Sequence, residues 1–328
     1  MANLLVTGGA GFIGSRFAEM LTSGEIKHNF SSITVIDNLT YSGVLSNLHA
    51  CINTPEFYFH KVDICNEADV QAVIDARKIT HIANFAAESH VDRSIESSFE
   101  FLRTNVMGTQ NLLDLAVKNK IERYLQVSTD EVYGSILEGS WEEDEPLKPN
   151  SPYSASKAGA DLLVLAYFKT HKLNVGITRC CNNYGKRQFP EKIIPLFVSN
   201  LIDGKKVPIY GEGKQVREWI HVDDHCRGIA KVLTDGEPGE IYNLAGTDEF
   251  ENIELARKII AHFNRTESDA FEFVADRKGH DARYSLTGNK SRTKLGITPQ
   301  IPFEEGLTST INWYIENESW WRPLKAKS

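Results

Sequence analysis

The sequence predicts an α/β protein built on a doubly wound parallel sheet, with a smaller C-terminal α/β lobe, and three observations carry that expectation. Short β-branched runs alternate with longer helical stretches from the N-terminus to about residue 180. The strand-like runs are apolar almost throughout, as burial on both faces requires. The first of them leads directly into a glycine-rich turn, "VTGGAGFIG", that opens the first helix.

In order, "NLLVTG" reads as the first strand, followed by a helix over 11–23. "ITVID" is the second strand and "FYFHKVDI" the third, with a helix over 66–78. "HIANFA" is the fourth, ahead of a helical stretch over 96–119; "RYLQVST" is the fifth, and "NVGITR", after a helix over 151–170, is the sixth. Beyond residue 180 the rhythm loosens. A helix over 190–203, a strand "VPIYG", the turn "GEGKQ", a helix from about Asp224 and another over 252–264 follow. The expected division is a Rossmann-type dinucleotide domain over 1–180, carrying the catalytic residues, and a lobe over 181–328 that binds substrate above the carboxyl edge of the sheet. Nothing resembling a linker separates them.

At 328 residues the chain can bury a large core, and 41% hydrophobic with 24% charged residues is ordinary for a soluble globular protein. The 36 Lys and Arg against 44 Asp and Glu leave a net charge of −8, no electrostatic reason to expect nucleic acid or an anionic membrane as partner. No apolar run reaches the roughly 18 residues of a membrane span, and "MANLLVTGGAG" lacks the positive start of a signal sequence. The five cysteines are odd in number and show no metal-like spacing, so the expectation is reduced thiols, no bound metal and a cytoplasmic location. The adjacent Cys180 and Cys181 read as two small residues ending a buried strand.

Glycines at 8, 11 and 14 let the backbone turn tightly and approach a pyrophosphate, whose charge would face the open amides and positive end of the helix. The second strand ends in Asp37, about 23 residues after the last glycine, as a dinucleotide-binding unit requires. A carboxylate there accepts hydrogen bonds from ribose hydroxyls and repels a 2′-phosphate, which favours NAD over NADP. Asp63 and Ile64 follow the third strand, where an adenine edge can rest, and the stretch from Ala86 to Ser89 follows the fourth. Without that context the glycines would only make a tight turn.

Tyr153 and Lys157 lie at i and i+4, on one face of a helix that begins near Pro152. A nearby ammonium and a nicotinamide cation would favour phenolate, drawing the tyrosine down from about 10 and making it a base for a hydroxyl proton. Thr129, Asp130 and Glu131 stand together at the end of the fifth strand. Two acids there are ordinarily a solvated loop pair, a reading under which amide replacement leaves turnover unchanged.

The motifs "NFAAESHVDRSI", "TNVMGTQNLL", "VSTDEVYG", "NSPYSASKAGAD", "NNYG", "FPEKIIPL", "PIYGEG", "VREWIHVDDH" and "DRKGHDARY" resemble the extended short-chain dehydrogenase/reductase family. Within it the resemblance is to nucleotide-sugar 4,6-dehydratases, over about residues 3 to 322. It implies that Thr129, Tyr153 and Lys157 oxidise C4 of a nucleotide-diphosphate glucose, dTDP-glucose first among candidates, with tightly bound NAD. It implies that Glu131 removes the C5 proton while Asp130, kept protonated, serves the departing C6 hydroxyl. Such a division of labour needs one carboxyl pKa raised and one left low.

The same resemblance implies cofactor contacts from Gly8, Gly11, Phe12, Ile13 and Gly14, and from Asp37, Asn38, Leu39 and Thr40. Asp63, Ile64, Ala86, Ala87, Ser89, Thr104 and Asn183 join them, with Tyr153 and Lys157. For the substrate it implies Ser89, Thr129, Asn182, Lys192 and Ile193. Pro208, Ile209, Tyr210, Arg217, Asn252, Asp276, Arg277 and His280 complete that set. Arginine geometry suits a bidentate phosphate contact at Arg217, although a lone arginine is more often a surface charge.

Departures from the resembled pattern are Lys186-Arg187 in place of a Pro-aromatic pair, followed by Gln188, then Lys278 in place of Pro, and Cys181 in place of Ser. The Lys186-Arg187 pair either adds charge near a diphosphate or faces water. Helices 96–119 and 151–170 carry apolar residues on more than one face; one stripe covers the sheet, and a second suits either further intramolecular cover or the four-helix homodimer interface that the resemblance implies. A UDP-sugar 4-epimerase shares the glycine turn, Tyr and Lys but needs no acid/base pair, so "TDE" argues against it. A non-catalytic NAD-binding subunit would gain nothing from the proton-handling set.

Overall fold

The computed structural model describes residues 1–276 and 279–326. β1 (Ala2–Thr7), β2 (Phe30–Asp37), β3 (Phe57–Lys61), β4 (His81–Asn84), β5 (Arg123–Thr129) and β6 (Val175–Cys180) form from the six apolar runs. β7 (Asn182–Tyr184), β8 (Val207–Tyr210) and β9 (Val216–His221) follow, then β10 (Glu240–Leu244), β11 (Asp248–Glu251) and β12 (Phe271–Val274). The large sheet has seven strands in the order β10-β6-β5-β4-β1-β2-β3, and every pairing in it is parallel. Two apolar clusters cover its faces, one around Leu4, Val6 and Phe17, the other around Leu5, Ile82 and Leu112. Strand order reverses between β1 and β4, so their carboxyl ends diverge and open a crevice.

The chain crosses the division expected at residue 180. After β9 it returns to the large sheet: the helix Val222–Asp235 packs beside Phe12–Thr22, and β10 pairs with β6 from Glu240↔Gly176 to Leu244↔Cys180. β10, which the sequence reading does not anticipate, closes the exposed edge of β6 and buries Tyr242 and Leu244. The smaller lobe is a sheet of β11-β9-β7 and a β12-β8 pair. The helices Ile193–Ile202, Asn252–His262 and Phe303–Glu316 pack on these strands over a core that includes Trp219, Phe303 and Trp321.

The helix expected over 96–119 is interrupted. Val91–Glu96 is a separate turn and a half, and Leu102–Gly108 is wound as a π-helix before Thr109–Lys118 continues as α. Asn105 explains the wide turn: its amide accepts from the Glu88 N–H and donates to the Glu88 carbonyl and Ser156 hydroxyl. These bonds turn the segment toward the crevice.

Helix Pro152–His171 is anchored by an ion pair with both partners almost fully buried, Arg179 Nε to Asp161 Oδ2 at 2.9 Å. Asp161 lies one turn beyond Lys157, so this pair sets how the helix sits against β6. Asp161→Asn leaves a guanidinium buried without its counter-charge and is expected to cost about 3–5 kcal/mol. Urea unfolding checks it, and a loss below about 1 kcal/mol would mean that the pair contributes nothing beyond packing. Among the described residues no helix is long and apolar enough to cross a membrane.

Candidate active site

A cavity of about 320 Å³ opens along the carboxyl ends of β1, β2, β4, β5 and β6. At its floor Gly8 adopts φ +65°, and a Cβ there would stand 2.6 Å from the Ala86 nitrogen. At Gly14 a Cβ would stand 2.5 Å from the Gly8 carbonyl oxygen. The helix that follows has Gly11 as its N-cap, with no side chain bonding its first amides. Those amides are therefore available to an anion. Asp37 accepts from the Ala10 and Leu39 backbone N–H groups at 2.9 and 2.7 Å, which orients a buried carboxylate at the end of β2. Close-packed glycines, an uncapped helix and an oriented acid are a donor and acceptor set that fits a dinucleotide. Every sequence-predicted cofactor residue lines this cavity except Leu39, which contributes its N–H to Asp37.

Thr129 ends β5 in extended conformation and caps the short turn Asp130–Tyr133. Its hydroxyl accepts from the Glu131 N–H at 3.3 Å and donates to Asp130 Oδ1 at 3.1 Å. Opposite it, Ser151 caps helix Pro152–His171, with proline in the first turn where no donor is lost. The same turn brings Ser154 to Glu131 Oε2 at 3.0 Å. Thr129, Asp130, Glu131, Tyr153 and Lys157 thus line one cavity.

The two acids differ. Burial pushes the Asp130 carboxyl well above its ordinary range, reinforced by the charges of Glu131 and Glu218. Among the described residues nothing bonds its Oδ2. Burial raises Glu131 as well, but the Ser154 hydroxyl and the positive charges of Arg217 and Lys192 oppose it. The environment therefore favours a proton on Asp130 over one on Glu131. The Tyr153 phenol departs from expectation: burial, with Glu131, Cys180 and Asp130 nearby, holds it well above its usual value despite the Thr129 hydroxyl. Lys157 donates instead to the Val127 carbonyl at 2.7 Å, and burial lowers its pKa.

Of the residues expected to meet substrate, Ser89, Thr129, Asn182 and Lys192 line the cavity. Pro208, Tyr210, Asp276 and His280 gather at the edge of the smaller lobe. Gln215 Nε2 bonds Asp276, His280 Nδ1 lies 2.7 Å from Asp276 Oδ1, and the Tyr210 and His280 rings meet edge to face. Ile209 is buried in that lobe's core and Ile193 packs against it. Asn252 donates its N–H to the Gln215 carbonyl. Arg217, 8% exposed, bonds the Val216 and Asp281 carbonyls and lies over the Tyr284 ring at 4.5 Å. Arg277 and the departure at Lys278 lie outside the described residues.

Several contributors escape a reading by motif. Glu218, whose pKa burial raises to about 7, adds negative charge near Asp130. His225, kept neutral by burial with a pKa near 3, donates Nδ1–H to Asn183 Oδ1 at 2.8 Å and so orients that amide. Glu191 and Trp320 line the cavity from distant positions. Lys186 and Arg187 both pair with Glu19 on the first helix, at 3.6 and 2.7 Å, and Arg187 also lines the cavity. All five thiols are free, and Cys180 and Cys181 are buried at the end of β6.

The family model described as GDP-mannose 4,6 dehydratase matches residues 5–310. The chain is 52% identical over 320 residues to a dTDP-glucose 4,6-dehydratase of Actinoplanes sp., covering 97% of this chain and 99% of the relative. It matches the crystal structure of DesIV, a dTDP-glucose 4,6-dehydratase from Streptomyces venezuelae with NAD and TYD bound, with a TM-score of 0.95 and 51% identity. That match covers 98% of this chain and 99% of the other. The UDP-glucose 4-epimerase of Thermotoga maritima shares the fold with a TM-score of 0.87 but only 26% identity, over 96% and 99% of the two chains.

Proposed function

The chain belongs to the GDP-mannose 4,6 dehydratase family, and on that premise we propose that it dehydrates dTDP-glucose to the 4-keto-6-deoxy sugar with NAD as cofactor. The observation that carries this reading is the pair Asp130-Glu131, split by its environment, in one cavity with Thr129, Tyr153 and Lys157. When bound, NAD accepts the hydride from C4 of the sugar and returns it to C6, and its positive ring favours ionisation of the nearby phenol.

The chain's own groups manage the protons. Tyr153 takes the proton of the C4 hydroxyl, with Thr129 bonding the phenol in the charged form. The C4 ketone acidifies C5, and Glu131 removes that proton. Asp130 Oδ2, buried, protonated and without a partner among the described residues, delivers its proton to the C6 hydroxyl, so water departs. Each transfer contributes about 10² to 10⁴ in rate. The glycine turn, Asp37 and Asn183 hold the cofactor. Arg217, Asn182 and Lys192 serve the nucleotide-diphosphate sugar, with Pro208, Tyr210, Asp276 and His280 at the outer edge. In this reading residues 1–180 supply the cofactor site and chemistry, and the rest chiefly the substrate side.

An epimerase needs no acid poised over C6, so the uncharged, unbonded Asp130 oxygen weighs against that alternative. The test is incubation with dTDP-glucose and UDP-glucose in D₂O, followed by mass spectrometry and NMR. Water loss with deuterium gained at C5 is expected, faster with dTDP-glucose. Interconversion of glucose and galactose forms without water loss would overturn the reading.

Free thiols suit a cytoplasmic enzyme. A homodimer is supported by an apolar face left open on the paired helical segments: Phe99, Leu102, Met107 and Leu162 are 69, 49, 62 and 58% exposed. Such a face buried against its copy would make a four-helix contact. The double variant Met107→Glu/Leu162→Glu is expected to run as a monomer by light scattering, whereas an unchanged dimer would place the interface elsewhere.

A further inference from the structure

Three segments far apart in sequence converge on one buried residue. Asn47, 1% exposed, donates from its amide nitrogen to the Ala10 carbonyl in the glycine-rich turn at 3.0 Å. Its amide oxygen accepts the indole N–H of Trp320 at 3.0 Å, and its backbone carbonyl accepts from Arg187 at 3.2 Å. Glu19 holds the same guanidinium at 2.7 Å. Arg187 and Trp320 also line the cofactor cavity.

Asn47 ends a segment that leaves β2 at Asp37 and borders the cavity through Asn38, Thr40, Ser42, Gly43 and Val44. Val44 N–H bonds the same Ala10 carbonyl. Nearer β2 the segment is tied a second time: the Tyr41 hydroxyl donates to Glu191 at 3.1 Å, the Tyr41 ring meets Phe189 edge to face, and Arg93 lies 4.1 Å over it. Both ends of this strap are therefore fastened to the stretch 186–192.

We infer that Arg187 and Trp320, acting through Asn47, form a clasp that keeps the dinucleotide in its cavity from one turnover to the next. They are positioning residues, since they act on the strap rather than on the reacting atoms. The inference rests on the dehydratase reading, in which NAD ends each cycle in its starting oxidation state, so the cycle gains nothing from releasing it. Opening the strap strips the buried Asn47 of partners from two other segments, and each orphaned group adds to the barrier. The Lys186-Arg187 departure thereby acquires a role: its arginine ties the strap to the first helix.

The test is the rate at which labelled NAD leaves the full chain during a chase with unlabelled NAD. Arg187→Met removes the guanidinium at similar volume, and Trp320→Phe removes only the indole donor. Each is expected to release NAD at least tenfold faster, while the NAD-free chain, which loses the same bond, gives up less stability than that factor represents. Because both act on Asn47, the double variant is expected to fall well short of the product of the two effects. Unchanged release, multiplicative effects, or faster release matched by a fall in NAD-free stability overturns the clasp. If Arg187→Met does not fold, Trp320→Phe decides alone. Failure of the unsubstituted chain to bind NAD would instead overturn the cofactor reading, and the clasp with it.

Discussion

Asp130→Asn is expected to lower the rate of water loss by about 10³ while leaving exchange of the C5 proton detectable in D₂O. The amide occupies the same volume beside Thr129 and cannot give up a proton to the C6 hydroxyl. Tyr153 and Glu131 remain, so C4 is still oxidised and C5 still exchanges; what fails is departure of the hydroxyl. The variant is also expected to be more stable than the natural chain above the carboxylate range. The sign follows from linkage: the folded pKa of Asp130 lies above its unfolded value, so the group's stability is complete below the unfolded pKa and declines as pH rises toward the folded one. An amide has no proton to lose. Thermal melts at neutral pH and a product assay in D₂O check both halves. Water loss within tenfold of the natural chain would make Asp130 a structural acid.

The same two carboxyls set the pH dependence. On the proposed mechanism, activity is expected to fall at low pH as Glu131 becomes protonated and at high pH as Asp130 loses its proton, which a pH–rate profile checks. Both limits sit above the ordinary carboxylate range because burial raises both groups. The limits belong to the pair, since each charge acts on the other.

Tyr153→Phe is expected to abolish every step together, by about 10³ to 10⁴, including the C5 exchange that Asp130→Asn retains. Without a phenol to accept the C4 hydroxyl proton no ketone forms, and without a ketone C5 is not acidic. The ring itself stays useful to the fold, packed edge to face on Phe101 at 6.4 Å, so loss of activity should come without loss of stability. Exchange at C5 at an undiminished rate would move the C4 base elsewhere. In the protein alone the phenol is held neutral by burial and by the carboxylates beside it. On the proposed mechanism the positive ring of bound NAD offsets these effects, which would couple the first proton transfer to cofactor occupancy.

Much of this was legible in the chain itself because it depends on neighbours within a turn or a strand end. The glycines at 8, 11 and 14, the acid at 37, the Thr129-Asp130-Glu131 run and the i, i+4 pair at 153 and 157 occupy positions that local backbone geometry dictates. The strand-like runs needed only their apolar character to find a buried parallel sheet. What misled the reading was also local: the apolar run near 96–119 suggests a continuous helix until Asn105 finds Glu88 and Ser156.

The chain's local pattern was enough for the parallel sheet and the glycine turn, and it placed the candidate proton-handling groups at one strand end and one helix start. The proton on Asp130, implied by the resemblance, finds its physical cause only in the packed molecule: burial raises both acids, but Glu218, 88 positions away, raises Asp130 further, while Ser154, Arg217 and Lys192 hold Glu131 down. The tertiary structure likewise decided that β10 returns to the large sheet, that His225 orients Asn183, and that Arg187 and Trp320 meet on Asn47. The reason is physical: covalent geometry propagates over a few residues, whereas burial and charge act through space and exist only after distant segments have packed.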